Sequence, residues 1–157
     1  MAGDSRIVDI QLDERTVVRR NPDIEHERAV AIYDLLEENH FAPQVDHPGP
    51  YVVHLGLEEN RLIFDIRDQD GGELTRVPLS LQPFRRIVKD YFTVCESYFS
   101  AIKTASPRQI EAIDMGRRGL HNEGSEVLRT SLADKIDIDF DTSRRLFTLL
   151  CVLHIRG

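Results

Sequence analysis

Long apolar runs are missing from this sequence. No stretch of its 157 residues approaches the roughly 18 consecutive apolar residues of a membrane span, and charged residues stand near the N-terminus, where a secretory signal would be apolar. Glycine and proline are also scarce, with 9 and 7 residues, which excludes collagen-like and low-complexity chains. The 41% of hydrophobic residues excludes a wholly disordered chain. We therefore expect one globular domain over residues 1–157, located in the cytoplasm and not in a membrane.

Cysteines and the common catalytic motifs are scarce as well. The two thiols, Cys95 and Cys151, lie in apolar stretches with helical periodicity, where a thiol usually serves as a small buried hydrophobic group. We expect both to pack in the core. The sequence contains no Walker loop, no dinucleotide fingerprint after a strand and no GxSxG motif. It therefore indicates no cofactor and leaves open whether the protein is an enzyme.

Positive charge is in deficit, and lysine is rare among the cations. Lys and Arg number 20 against 27 Asp and Glu, so the net charge of −7 disfavours binding to a nucleic-acid duplex or an anionic bilayer. Three of the 20 are Lys and 17 are Arg, whose planar guanidinium suits carboxylate and phosphate. Four adjacent pairs occur: Arg19 and Arg20, Arg85 and Arg86, Arg117 and Arg118, and Arg144 and Arg145. Several pairs could converge on one anion, or each could pair with carboxylates of the protein itself.

Hydrophobic periodicity predicts an α+β fold. Alternation of apolar and polar residues predicts strands over residues 6–12, 51–57, 61–67 and 74–81. The gaps between the last three are short enough for hairpins, which favours an antiparallel meander. We expect an antiparallel sheet of about four strands, packed against amphipathic helices.

Capping residues mark where these helices begin. Asn21 followed by Pro22 predicts the start of the first helix, and Pro83 opens a strongly amphipathic one. Ser106 and Gln109 form a capping box for the next helix.

The C-terminal region is predicted to contain a short strand and a buried helix. The strand covers residues 136–140, where apolar residues alternate with aspartates. Asp141 or Thr142 is expected to cap a last helix that is apolar nearly all round. Such a helix is buried, either in the core or across a dimer interface.

The segment 115–125, MGRRGLHNEGS, is the most unusual part of the chain. Each of its glycines costs about 1 kcal/mol relative to alanine inside a helix, which predicts a loop or kinked junction between two helices. Guanidiniums there would bind an anion, and an imidazole beside a carboxylate would move a proton. The candidate ligand-binding residues are Arg117, Arg118, His121, Asn122 and Glu123. Alternatively, the glycines permit close helix packing and the charged side chains form ion pairs with their neighbours.

The run from Gly116 to Gly119 is also similar to the GXXG loop with which KH domains hold single-stranded nucleic acid. A KH domain places a strand just before the first of the two helices, whereas a long amphipathic helix precedes Ser106 here. The net charge of −7 also disfavours nucleic acid as a partner. Single-stranded RNA binding is therefore kept only as a further alternative.

Metal-ligating residue types are present without the spacing of a known site. His40, Asp46 and His47 flank a proline-rich loop, and His26 stands between two glutamates. Three alternating aspartates over residues 137–141 resemble the start of a calcium loop, but the required glycine and the final glutamate are both threonine. We interpret these side chains as solvated or structural and predict no metal site.

The chain resembles, over nearly its full length, a family of small bacterial proteins, number 262 in the UPF series, found in alphaproteobacteria. The resemblance rests on RIVDIQLDE at 6–14, HERAVAIYDLLEEN at 26–39, PFRRIVKDYF at 83–92, IEAIDMGRRGLHNEGS at 110–125 and FDTSRRLFTLLCVLH at 140–154. The family has no established activity. The resemblance therefore implies a bacterial cytosolic protein and no catalytic assignment.

Three functions follow as hypotheses. The first is a non-catalytic binding or regulatory module that forms a homodimer, because amphipathic helices are present without a strong catalytic constellation. The second is an enzyme or binding protein for a small anionic, phosphorylated compound, which requires Arg117, Arg118 and His121 to converge in a cleft. The third is RNA binding through residues 116–119, which requires a loop there.

Overall fold

In the part of the chain that the structure describes, the fold combines four α-helices with two small sheets. The computed structural model describes residues 4–13 and 22–154. In chain order the elements are β1 (Ile7–Leu12), α1 (Pro22–Glu37), β2 (Phe41–Pro43), β3 (Tyr51–Glu58), β4 (Arg61–Arg67), β5 (Glu73–Ser80), α2 (Arg85–Thr104), α3 (Pro107–Leu132), β6 (Ile136–Ile138) and α4 (Phe140–His154). The α+β prediction is confirmed. The proposed cap Asn21 lies outside the described residues.

The main sheet is mixed, so the prediction of a purely antiparallel sheet is wrong for β1. The strand order is β1-β3-β4-β5, and β3, β4 and β5 form the predicted antiparallel meander. β1 runs parallel to β3, with Ile10 beside Val53 and Leu12 beside Leu55. Parallel neighbours need a crossover between them, and α1 lies in that connection. Burial alternates along β3, which gives the sheet one face toward the helices.

The third helix is continuous, so the predicted loop or kink over residues 115–125 is wrong. The predicted capping box starts this helix: the Gln109 N–H donates to Ser106 Oγ at 3.3 Å, and the Ser106 N–H donates to Gln109 Oε1 at 3.0 Å. At its other end, Leu128 and Leu132 are buried. Anchorage at both ends outweighs the local cost of three glycines. Because residues 116–119 are helical, the loop required by the RNA-binding hypothesis does not form.

One of the glycines has a packing role. A methyl group on Gly124 would overlap the ring of Phe147 on α4, whereas a methyl group on Gly116 or Gly119 would meet open space. The alternative of close helix packing therefore holds for Gly124 alone.

The start of the last helix differs slightly from the sequence expectation. β6 pairs antiparallel with β2, a strand that the sequence did not indicate, and Phe140 already belongs to α4. Asp139 Oδ1 accepts the backbone N–H of Thr142 at 2.9 Å. Asp139, and not Asp141 or Thr142, is therefore the capping residue.

The last helix is buried as predicted, within the core of its own chain. It packs against α1, α3 and β3. Its fully buried side chains are Leu146, Phe147, Leu149, Leu150 and Leu153. Within residues 4–13 and 22–154, no helix combines the length and apolar character needed to cross a bilayer.

Candidate functional site

A cleft of about 340 Å³ lies where α1, α3 and α4 meet. On α1 it is lined by His26, Glu27, Val30, Ala31 and Asp34. On α3 it is lined by Arg117, Arg118 and His121, and on α4 by Arg144, Arg145 and Thr148. Tyr91 of α2 completes it. We refer to this set as the cleft.

Helical geometry explains why these residues share one space. On α3 the lining residues occupy positions i, i+1 and i+4, and on α4 they occupy the same positions relative to Arg144. Residues with this spacing lie on one face of a helix. Because α4 packs against both α1 and α3, its polar face opens between them while its remaining faces are buried.

The two arginines of α3 share one carboxylate. Arg117 donates from Nε and Nη2 to Asp114 Oδ1, at 3.1 and 2.6 Å, and Arg118 Nε lies 3.2 Å from Asp114 Oδ2. Burial lowers the pKa of Arg117, but its interactions with Asp114 and Tyr91 together outweigh this effect, and the net shift is upward. Its guanidinium also lies 5.1 Å from the centre of the Tyr98 ring. This pair is therefore held in place and partly neutralised.

The two arginines of α4 lack such a carboxylate. The Nε atoms of Arg144 and Arg145 are buried and make no hydrogen bond in the part of the chain that the structure describes. Arg145 Nη1 donates to the Asp141 carbonyl oxygen at 2.9 Å, which fixes its direction without neutralising it. A buried charged donor without an acceptor is costly, because it has lost water and gained nothing in return.

His121 is held in the cleft as a neutral side chain. Its Nε2 lies 2.8 Å from Thr148 Oγ1, and its ring packs edge-on against Tyr91 and Phe147, with centroids 5.5 and 5.1 Å away. Burial, together with the positive charges of Arg144 and Arg117, lowers its pKa to about 4. At neutral pH the imidazole therefore offers one donor and one acceptor and carries no charge.

Tyr91 contributes an aromatic side chain to the lining of the cleft. Tyr91 is buried, and this burial raises the pKa of its hydroxyl well above its ordinary value. The hydroxyl therefore stays protonated and remains a hydrogen-bond donor at any physiological pH.

The cleft is positive although the protein is acidic. Four guanidiniums face two lining carboxylates, those of Glu27 and Asp34, while the whole chain carries −7. Counting Asp114, which both arginines of α3 contact, the guanidiniums outnumber the carboxylates by four to three among the described residues. Such a local field attracts anions to a protein that repels them elsewhere.

Three of the five residues singled out from the sequence line the cleft. These are Arg117, Arg118 and His121. Asn122 and Glu123 lie on the same helix but are exposed and do not line it. Because Glu123 is absent from the cleft lining, it cannot act there with His121 as a proton-moving pair.

Of the three arginine pairs that the structure describes, two meet in the cleft, those of α3 and α4. Arg85 and Arg86 are exposed at the start of α2, and Arg19 and Arg20 lie outside the described residues. Sequence reasoning left Thr148 and Asp34 without a role. The sequence did contain a signal for Thr148 and for Arg144 and Arg145, because these polar residues interrupt an otherwise apolar helix at positions i, i+1 and i+4.

The cysteines belong to the core, as predicted. Cys95 and Cys151 are buried and free. Burial raises the pKa of Cys95 to about 11 and that of Cys151 well above its ordinary range, so neither is a thiolate at neutral pH.

The residues considered for a metal are dispersed, and several of them have structural contacts. His40 Nε2 lies 3.0 Å from Asp137 Oδ2, and His47 Nδ1 accepts the Gly49 N–H at 3.0 Å. Asp139 caps α4. Over the described ranges, no group of three or more His, Cys, Asp or Glu side chains is arranged to hold a metal ion.

Comparison with known proteins identifies relatives along the whole chain. Residues 4–156 match the model of a family described as "Uncharacterised protein family (UPF0262)". A UPF0262 protein of Paramagnetospirillum magneticum is 64% identical over 152 residues, which cover 97% of each chain. One from Rhodospirillum rubrum is 65% identical over 96% of this chain and 93% of its own, and one from Rhizobium etli is 58% identical over 99% of both. No solved structure matches.

Proposed function

This chain belongs to the uncharacterised protein family UPF0262, and from its geometry we propose that it binds a small anionic compound in the cleft. The binding groups are Arg144 and Arg145, supported by the α3 pair. We propose a cytoplasmic location for this function, to which the two free cysteines are suited.

The observation that carries the proposal is the pair of buried Nε atoms on α4. Arg144 and Arg145 direct these donors into a protein environment where none of the described residues accepts them. A phosphate or carboxylate oxygen would satisfy them with charge-assisted hydrogen bonds. Because Arg117 and Arg118 already share Asp114, they contribute mainly a fixed positive field.

Small anions fit this site better than polyanions. The cleft is an open space of only about 340 Å³ lined by residues of four helices, and the protein as a whole is acidic. A nucleic acid would need a basic surface extending well beyond the cleft. The local positive charge therefore favours a compound that the cleft can surround.

The test is a titration of the protein with inorganic phosphate and with sulfate. Binding is monitored by the NMR chemical-shift changes of the backbone amides. We expect saturable binding to the wild type, with the largest changes in α4 and the middle of α3. Removing one charge-assisted donor costs about 1.5–3 kcal/mol, so Arg144→Gln should weaken binding by about tenfold or more.

Arg86→Gln is the matched control. It removes the same charge from an exposed helical position outside the cleft, 3.7 Å from Asp90. Its affinity should equal that of the wild type. Equal weakening in both variants would show a non-specific charge effect and would overturn the proposal, as would the absence of saturable binding. Thermal unfolding of each variant separates loss of binding from loss of folding, and Arg145→Gln provides a second cleft variant.

A protein partner, with a second copy of the chain as the first choice, is the second candidate. An exposed apolar side chain favours it: Tyr33 on α1 is 66% exposed. Large exposed apolar side chains are common at protein interfaces. Homodimer formation is compatible with ligand binding, and the molecular mass in solution tests it.

A further inference from the structure

The α1 side of the cleft carries a carboxylate for which the described part of the chain supplies no partner. Asp34 lines the cleft, and its carboxylate makes no hydrogen bond or ion pair with any residue that the structure describes. Glu27 stands two helical turns before it on the same side. The cleft therefore has an acidic side as well as a basic one.

The carboxylate of Asp34 and the guanidiniums of α4 do not contact each other. Asp34 and the arginines of α4 line the same space, yet no ion pair within 4.0 Å joins them. Axes of packed helices lie roughly 8–10 Å apart, which allows a gap of a few ångströms between side chains on facing helices. A purely anionic ligand would gain from Arg144 and lose from repulsion by Asp34. A ligand with charges of both signs would gain from both.

The lining between the charged groups suits a short aliphatic spacer. Val30 and Ala31 lie on the α1 side between Glu27 and Asp34, and Tyr91 completes the lining from α2. With Asp114 counted, the guanidiniums of the described cleft residues outnumber the carboxylates by four to three. A phosphate monoester dianion that also carries an ammonium group has a net charge of −1, which balances this excess.

We propose that the ligand is an aminoalkyl phosphate, whose phosphate binds Arg144 and Arg145 and whose ammonium group binds Asp34. This inference rests on the proposed function, because it assumes that the α4 arginines take the anion. It adds a second recognition point that anion binding alone does not require.

Two probes of nearly equal size test it: O-phosphoethanolamine, and ethyl phosphate, which lacks the ammonium group. Dissociation constants are measured by calorimetry at pH 7.5 on the wild type, Asp34→Asn and Arg144→Gln. We expect the wild type to bind O-phosphoethanolamine at least about tenfold more tightly than ethyl phosphate. Asp34→Asn should reduce this ratio to about two or less, while Arg144→Gln should weaken both probes. Asp134→Asn, which removes an exposed carboxylate outside the cleft, should leave the ratio unchanged.

The outcomes separate the two proposals. If ethyl phosphate binds as tightly as O-phosphoethanolamine and both depend on Arg144, anion binding stands and the ammonium site is wrong. A preference that persists in Asp34→Asn places the ammonium group elsewhere and also overturns the inference. If neither probe binds the wild type, both proposals fall.

Discussion

His121 shows how much a single side chain depends on its surroundings. Burial and two nearby guanidiniums lower its pKa to about 4, whereas in the unfolded chain it titrates near 6.5. The unfolded state therefore binds more protons between these two values, and the free energy of unfolding falls as the pH is lowered through this window. The contribution of the neutral His121 side chain to the free energy of unfolding is therefore complete above pH 6.5 and is lost by about pH 4.

This pKa shift predicts that the wild type and His121→Gln lose different amounts of stability when the pH is lowered. Between pH 7.5 and pH 5.0 the wild type should lose about 2 kcal/mol more in unfolding free energy than the variant, which has no titrating group at this position. Denaturant unfolding at both pH values measures the difference, and a proton titration of the His121 ring by NMR gives the pKa directly. Parallel losses in the two proteins, or a ring pKa near 6.5, would contradict the burial and charge effects described here.

At the scale of the element, alanine substitutions at Gly124 and Gly116 of α3 are predicted to change the stability of the protein in opposite directions. Gly124→Ala places a methyl group against the Phe147 ring and should destabilise the protein by about 1–3 kcal/mol through overpacking. Gly116→Ala is the matched change in the same helix. It meets open space and should stabilise the protein by about 0.5–1 kcal/mol.

Denaturant midpoints of the two variants measure these effects. The expected signs are opposite because one glycine is needed for helix contact and the other is not. A stabilised Gly124→Ala would mean that α3 and α4 approach less closely than the structure shows, while a destabilised Gly116→Ala would contradict its open surroundings.

The same helix shows where sequence reasoning succeeds and where it cannot. The capping box of Ser106 and Gln109 and the meander of β3, β4 and β5 follow from local patterns, and both are confirmed. The continuity of α3 depends on burial at Leu128 and Leu132, which propensity does not report. The parallel pairing of β1 depends likewise on the crossover through α1.

The cleft was only partly predictable for a related reason. The residue types on α3 were visible in the sequence, and so was the polar face of α4. Their convergence depends on how α4 packs between α1 and α3, which is a long-range contact. Glu123 was grouped with His121 because a loop was expected. In a continuous helix its position turns it out of the cleft.

At the scale of the whole molecule, the remaining expectation is a homodimer. Tyr33 on α1 is 66% exposed and does not line the cleft, so a second copy packing there would remove apolar surface from water. Light scattering during gel filtration should then give a mass of twice 18.0 kDa for the wild type. Tyr33→Ser should shift the protein toward the monomer, since its ring provides most of this exposed apolar surface.

Met115→Ser on α3 is the control and should leave the mass unchanged. A wild type that elutes at the monomer mass at 100 µM, chosen as roughly a hundred times a micromolar dissociation constant, would show that this face does not bind a second copy with that affinity.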